Sequence, residues 1–271
     1  MRLVFALLPA FFLAAAPVAA QPPPDANALV KEMKRAFEPA RPSTRKVIVS
    51  VSELGQTLQL VGRVARKTFP DGQRQAIVMT EPPDVRGTAL LVAELTDPSK
   101  PSVMWLYSPV IRRVRKLVPI DAYDHFLDTD FTYADLGFVR LHGRYALLGE
   151  ADVKGVKAYK VEEKIPREEW YYSRVVTYIA AGNKLPLQRD YYDPAGALWK
   201  TEAFDGITAI DGVPTILHAV MKDVQAQTST DLAVSEVRYD VDVPDAIFDP
   251  QKLAQLADHP LWQAAPPAAA K

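Results

Sequence analysis

The chain has 271 residues, no cysteine and a formal net charge of −1. That balance holds no cationic excess to neutralise a phosphate backbone, which argues against nucleic acid as a partner. With no thiol there is no disulfide, and stability has to come from the core of one large domain or two small ones.

The N-terminus is expected to be an export signal. Arg2 is the only early charge, Leu3 to Ala16 is almost wholly apolar, and Val18 and Ala20 put small residues before Gln21. This is the pattern of a cleaved secretory leader over residues 1–20, too short for a membrane anchor. With no cysteine at the cleavage point, the mature chain is expected to be periplasmic, soluble and without a lipid anchor of its own.

After a flexible lead-in at 21–27, "ALVKEMKRAFE" places Leu29, Met33 and Phe37 four apart, with Asp25 or Asn27 as cap and Pro39 as stop. The spacing predicts one amphipathic helix over 28–38. From there the period drops to two. "RKVIVSVSE", "TLQLVGRVARKTF", "RQAIVMTE", "TALLVAEL", "SVMWLYS", "RRVRKLV", "KAYKVEEKI", "SRVVTYIA", "LPLQRDYYD", "ALWKTEAFDGITAI", "TILHAVMKDV" and "LAVSEVRYDVDV" read as strands. Turn residues separate them at "PDGQ" (70–73), "AAGN" (180–183), "DPAG" (193–196) and "DG" (211–212). So many hairpin-ordered strands, with little helix between, predict a single large antiparallel sheet that must curl, split or close. The helix and the irregular segment 119–138 are the candidates to cover its concave side. Residues 257–271 are expected to form a disordered tail, which leaves 28–256 as one domain.

Reactive constellations are not apparent. His125, His142, His218 and His259 form no metal-ligand motif, and there is no G-x-S-x-G elbow, thiol nucleophile or phosphate loop. Asp128 with Asp130, and Glu162 with Glu163, read as solvated carboxylates. His218 reads as a partly buried core histidine of its strand. "EEWYY" (168–172) is either an aromatic binding lip or a loop packed on the sheet. No enzyme activity, cofactor or metal is expected.

Three segments carry a resemblance: "WLYSPVIRRVRKL" followed by "DTDFTYADL", then "KLPLQRDYYDPAGALWKTEAF", then "GVPTILHAVMKDVQAQTSTDLAVSEVRYDVDVPDAIFDPQKL". Their order and spacing, over about residues 28–256, resemble the outer-membrane lipoprotein-sorting family of LolA-like periplasmic proteins. The resemblance implies a mainly β fold with few helices: a strongly curved, unclosed antiparallel half-barrel, LolA/LolB-like, lidded by helices and loops. It also implies a carrier of lipids or lipoproteins, working with an inner-membrane exporter of the resistance-nodulation-division (RND) type and with an outer-membrane acceptor. A monomer is expected. The chain exceeds the minimal lipoprotein carriers in its middle and tail, so another lipid cargo is open. The alternative is a regulatory or scaffolding subunit of an inner-membrane complex that senses lipidated ligands.

On this reading Trp105, Tyr107, Phe126, Leu127, Phe131, Tyr133 and Leu136 are the cavity and lid residues. In "MWLYS", Trp105 and Tyr107 share one strand face, Met104 and Leu106 the other, and one pair faces the cavity. The cations Arg112, Arg113 and Arg115 either pair with Asp128, Asp130 or Asp135 to pin the lid, or collect an anionic headgroup or an acidic patch of a partner.

Overall fold

The structure, a computed structural model, describes residues 23–53, 56–97, 100, 102–139, 141, 143–165 and 171–263. The expected leader, His142, Glu168, Glu169 and Trp170, and the last eight residues of the expected tail lie outside that range.

The chain opens with helix α1 (Ala26–Phe37), capped by Asp25, whose carboxylate accepts from the Ala28 amide at 2.8 Å. The helix begins two residues before the expected start because Asp25, not Asn27, takes the cap. Leu29, Val30 and Met33 are buried on one stripe, each burial contributing about 1.5–3 kcal/mol. That stripe packs on Val161 and Ile179 of the sheet.

Six strands then run in hairpin order: β1 (Ser43–Glu53), β2 (Gln56–Phe69), β3 (Gly72–Glu81), β4 (Ala89–Leu95), β5 (Val103–Ser108) and β6 (Arg113–Lys116). After residues 117–143 come β7 (Arg144–Val153), β8 (Val156–Lys164), β9 (Arg174–Ala180), β10 (Pro186–Tyr192) and β11 (Leu198–Asp205). A small ribbon of β12 (Thr208–Ile210) and β13 (Val213–Thr215) precedes β14 (His218–Asp223) and β15 (Thr228–Tyr239). Thirteen strands form one antiparallel sheet in the order β6-β5-β4-β3-β2-β1-β15-β14-β11-β10-β9-β8-β7. The sheet is large and not closed into a barrel, with β6 and β7 as its edges. Sheets of more than about ten strands curl because each strand adds right-handed twist.

The order of the strands explains the lid. The chain leaves the sheet at one edge, β6, and re-enters at the other, β7. Residues 117–143 must therefore cross between the two edges over the concave side. The segment has little regular structure, a 3-10 turn at Pro119–Tyr123 and a bridge between His125 and Thr132.

Strands β2–β5 are covered on both faces. Leu60, Val64, Ile77, Met79, Leu90 and Val92 point to the concave side. Ala65, Ala76, Val78, Ala89 and Leu91 point to the convex side. There a run of 3-10 turns, Asp245–Phe248, Pro250–Asp258 and Pro260–Trp262, lays Ile247, Phe248, Leu253, Leu256 and Trp262 over them. The three alanines allow that segment to approach closely, and double coverage is why "AIVM" and "ALLVA" are continuous apolar runs. The expected tail is corrected here: Trp262 is 9 % exposed and its indole N–H donates to the Leu256 carbonyl at 2.6 Å, so the packed chain extends past 256.

At the β2–β3 turn, Gly72 has φ +145°, and a Cβ there would lie 1.9 Å from the Glu94 carbonyl oxygen. Only glycine fits this close approach of β3 to β4.

Candidate functional site: a lidded cavity in the half-barrel

The concave face encloses a cavity of about 230 Å³. Its walls come from α1 (Val30, Met33, Phe37), from β1–β3 (Val47, Val49, Val64, Ile77, Met79) and from β9–β15 (Val175, Tyr191, Phe204, Leu232, Val234). Its roof is the crossing segment, through Phe126, Phe131, Leu136 and Phe138.

The roof is fastened by hydrogen bonds to elements all round the rim. The buried Asp130 carboxylate accepts from Thr228 at 2.5 Å and from Thr230 at 2.7 Å, both on β15. The Asp130 carbonyl accepts from Lys200 Nζ of β11 at 2.7 Å, and that lysine has no exposed surface. Asp135 accepts from the buried Tyr172 hydroxyl at 3.1 Å, and Gln75 of β3 donates to the Leu136 carbonyl at 2.9 Å. At the far end Val139 is held twice: its amide donates to Glu38 at 2.7 Å, and its carbonyl accepts from Lys34 at 2.9 Å. Lys34 also pairs with Glu38 (2.6 Å) and Glu94 of β4 (2.9 Å), so α1, the roof and the sheet share one ion cluster. Burial and the nearby Asp135 charge push the Tyr172 phenol well above its usual pKa, so it remains a donor.

A second polar cluster lies in the wall. The Glu202 carboxylate accepts from Tyr191 at 2.6 Å and lies 3.5 Å from Arg189. Desolvation raises the Glu202 pKa and the Arg189 charge opposes that rise, while Arg189 is held firmly protonated by Tyr191 and Glu202. His218 is partly buried, as expected, and bridges Asp205 (2.7 Å) and Asp231 (2.6 Å).

The sequence-based site residues distribute unevenly. Phe126, Phe131 and Leu136 line the cavity. Tyr133 packs edge-on against Phe126 at 5.6 Å, and Leu127 packs against the same apolar cluster. Trp105 and Tyr107 are not cavity residues: β5 turns Met104 and Leu106 inward and those two aromatics outward, under the C-terminal segment. Period-two alternation separates the two pairs but cannot say which is inside.

The expected lid ion pairs are also corrected. Arg115 pairs with Asp121 at 2.7 Å, six residues away. Arg112, Arg113 and Asp128 are exposed and form no ion pair among the described residues. Asp130 is 5 % exposed rather than solvated, and its partners are threonines. Glu162 is buried too, against Arg174 at 3.0 Å. From "EEWYY", Tyr172 is core and Tyr171 stacks on Tyr123 at 5.4 Å, so the described part of that segment packs on the sheet and roof.

Sequence reasoning missed Arg45, Arg66 and Gln75, which also line the cavity. The signal was present. In "RKVIVSV" Arg45 continues the inward face of Val47 and Val49, and in "VARK" Arg66 follows Val64. Among the described residues no group of side chains has the makings of a metal site, and no helix is long and apolar enough to cross a membrane.

Several known proteins share this architecture. A family model with the description "Uncharacterized protein" matches residues 71–255. A DUF1329 family protein from Desulfovibrio piger superposes with a TM-score of 0.79 at 27 % identity, over 84 % of this chain and 97 % of that one. A domain assigned to outer membrane lipoprotein sorting, from Vibrio parahaemolyticus, gives 0.78 at 22 % identity over 84 % and 98 %. A LolA superfamily protein from Nitrosomonas europaea gives 0.66 at 19 % identity over 83 % and 97 %. The last two likenesses concern the fold. No curated protein matches the chain.

Proposed function

We propose, for a chain that belongs to the family matched over residues 71–255 and has a LolA-like fold, that it is a non-enzymatic periplasmic carrier that takes the acyl chains of a lipid or lipoprotein into its cavity and passes them between membrane-bound partners. The observation that carries this reading is the apolar cavity beneath a hydrogen-bonded roof.

Burying a methylene contributes about 0.8 kcal/mol, so exposing a 16-carbon chain to water costs on the order of 12 kcal/mol. Such a molecule crosses an aqueous compartment at a useful rate only in an apolar container. A half-barrel open along one side admits a chain laterally, without threading. With the roof in place the cavity, about 230 Å³, is smaller than the roughly 300–1,000 Å³ of typical ligand sites. Loading therefore moves the roof aside, and Phe126, Phe131 and Leu136 compete with cargo for the same space. That competition limits net affinity, which is what delivery needs.

The partners are an inner-membrane exporter of the RND type and an outer-membrane acceptor. The β5–β6 hairpin supports a docking role: Val110 is 82 % and Ile111 58 % exposed, beside the exposed Arg112 and Arg113. Solvent-facing aliphatics flanked by cations suit a membrane surface or a membrane-bound partner.

The test is native mass spectrometry of the protein purified from periplasm without detergent, followed by organic extraction. A bound lipid or acylated peptide supports the carrier and names the cargo. A mass equal to the polypeptide alone, unchanged after incubation with membranes, overturns it in favour of a partner-binding subunit.

A further inference from the structure

One stretch of the cavity wall carries two guanidinium groups that form no ion pair among the described residues, although the Glu38 charge reaches Arg66. Arg45 of β1 and Arg66 of β2 both line the cavity. Ser43 opposes Arg66 and Arg45 opposes Val64, so the two arginines are diagonal neighbours on the inner face. The pairing of β1 with β15 slips between Thr44 and Lys46, an irregularity centred on Arg45. Such irregularities re-aim side chains.

Their hydrogen bonds leave a remainder. Arg66 Nε donates to Gln75, and Arg45 Nη2 donates to Ser43 at 3.3 Å. Arg45 Nε and Arg66 Nη1 are buried and have no partner. Among the described residues neither side chain forms an ion pair, whereas Arg189, the other lining arginine, pairs with Glu202. Three of the carboxylates that line the cavity are committed elsewhere: Glu38 to Lys34 and the Val139 amide, Asp135 to Tyr172, and Glu202 to Tyr191 and Arg189. Tyr239, beside Arg45, offers only a neutral phenol that already meets Thr215 at 3.0 Å. Burial, and then the Arg66 charge, lower the Arg45 pKa to about 10, which still leaves it protonated at neutral pH.

Two part-buried like charges, each with one fully buried donor atom that has no partner, are an arrangement lacking its anion. The anion is not simply a soluble one. The donors are shielded from bulk water, and the wall continuing from them along both strands is apolar: Val47, Val49, Val64, Ile77 and Met79. We propose that Arg45 and Arg66 form an internal site for the oxyanion of an acyl amphiphile, a carboxylate or a phosphate ester, with its chain laid along that wall. The proposal rests on the carrier reading and adds to it a chemical selectivity: cargo is chosen by its acid group as well as by its chain.

The test is displacement of the uncharged probe N-phenyl-1-naphthylamine by palmitate, hexadecyl phosphate, hexadecanol and inorganic phosphate, below micellar concentrations. At least one of the two acids is expected to bind ten-fold or more tightly than the alcohol, and their ranking identifies the oxyanion. Arg45→Gln and Arg66→Gln should each bring acid binding down to the level of the alcohol and leave hexadecanol unchanged. Should either variant unfold, the wild-type comparison of acid with alcohol still decides. Equal binding of acid and alcohol by the wild type overturns the anion site and leaves the carrier standing. Binding of neither overturns both. Inorganic phosphate competing as well as hexadecyl phosphate overturns the amphiphile assignment.

Discussion

Asp130 and Thr230 lie one hundred residues apart in the chain and hydrogen-bond each other twice: the Thr230 hydroxyl donates to the carboxylate at 2.7 Å and accepts from the Asp130 amide at 2.8 Å. Thr230 has no exposed surface, and Thr228 donates to the second carboxylate oxygen. A buried carboxylate held by hydroxyls is stable only while those donors stay in place. The roof is thus locked to the central strand β15 by short, geometry-dependent bonds.

Replacing Thr230 by Val removes a donor and an acceptor from this lock at almost constant volume. We expect a loss of about 1–3 kcal/mol in urea unfolding. Amides 126–136 should exchange faster by a larger factor than those of β2 and β3. Uniform acceleration across the sheet would show that the pair stabilises the domain as a whole and not the roof.

Shortening the roof should alter how cargo is held. Phe131→Ala, or deletion of residues 124–134, removes apolar groups that fill the cavity. For the point variant the cost in stability is about 3–5 kcal/mol, because Phe131 is buried. Retention of an apolar probe should nonetheless rise. Retention equal to wild type in both variants would refute competition between roof and cargo.

Trp262 tests where the domain ends. Trp262→Ala should cost about 3 kcal/mol by opening a cavity over Ala65, Ala76 and Ala89. A midpoint unchanged in thermal unfolding would return residues beyond 256 to the status of a tail.

His218 sets a pH dependence. Its hydrogen bond to Asp231 is the largest influence, burial opposes it, and Asp205 adds to it, so its folded pKa lies above the ordinary 6.5. A raised folded pKa means that the stabilisation is fully present below pH about 6.5 and disappears as pH rises through the folded value. His218→Asn should therefore lose most, relative to wild type, at pH 5.5–6, and the two proteins should converge in alkaline buffer. Parallel stability curves would exclude protonation as the cause.

The hairpin cations should be dispensable for folding. Arg112→Glu with Arg113→Glu removes no ion pair among the described residues, so the unfolding midpoint should move little. Sedimentation with vesicles of anionic lipid, or with membranes bearing the proposed exporter, should fall. A double variant that unfolds would instead assign these arginines a structural role.

Local chemistry, as written in the sequence, was enough for most of the elements. The period of two, the turn residues and the cap at Asp25 depend on neighbours within a few positions, and each appears in the structure close to its expected place. The large antiparallel sheet follows from hairpin order. The crossing segment was legible as irregular and apolar, which is why Phe126, Phe131 and Leu136 could be named. Arg45 and Arg66 were equally legible as charges on an apolar face, since each continues the inward-facing alternation of its strand.

Other features depend on which partner arrives from far along the chain. Alternation shows that Trp105 and Tyr107 share a face, yet a strand covered on both sides gives its two faces similar composition. Only the C-terminal segment, packing more than a hundred residues later, settles which face is convex. Asp130 reads as solvated because nothing nearby satisfies it, and its hydroxyl partners sit one hundred residues away. Sequence alone determined the helix, the need for a cover and most of the strands, the edge strand β7 (Arg144–Val153) being left unread, since propensity and period are short-range. Which side chains face the cavity, what holds its roof and which charges inside it lack a partner were decided by tertiary structure, because burial and hydrogen bonding belong to pairs of residues and not to single ones.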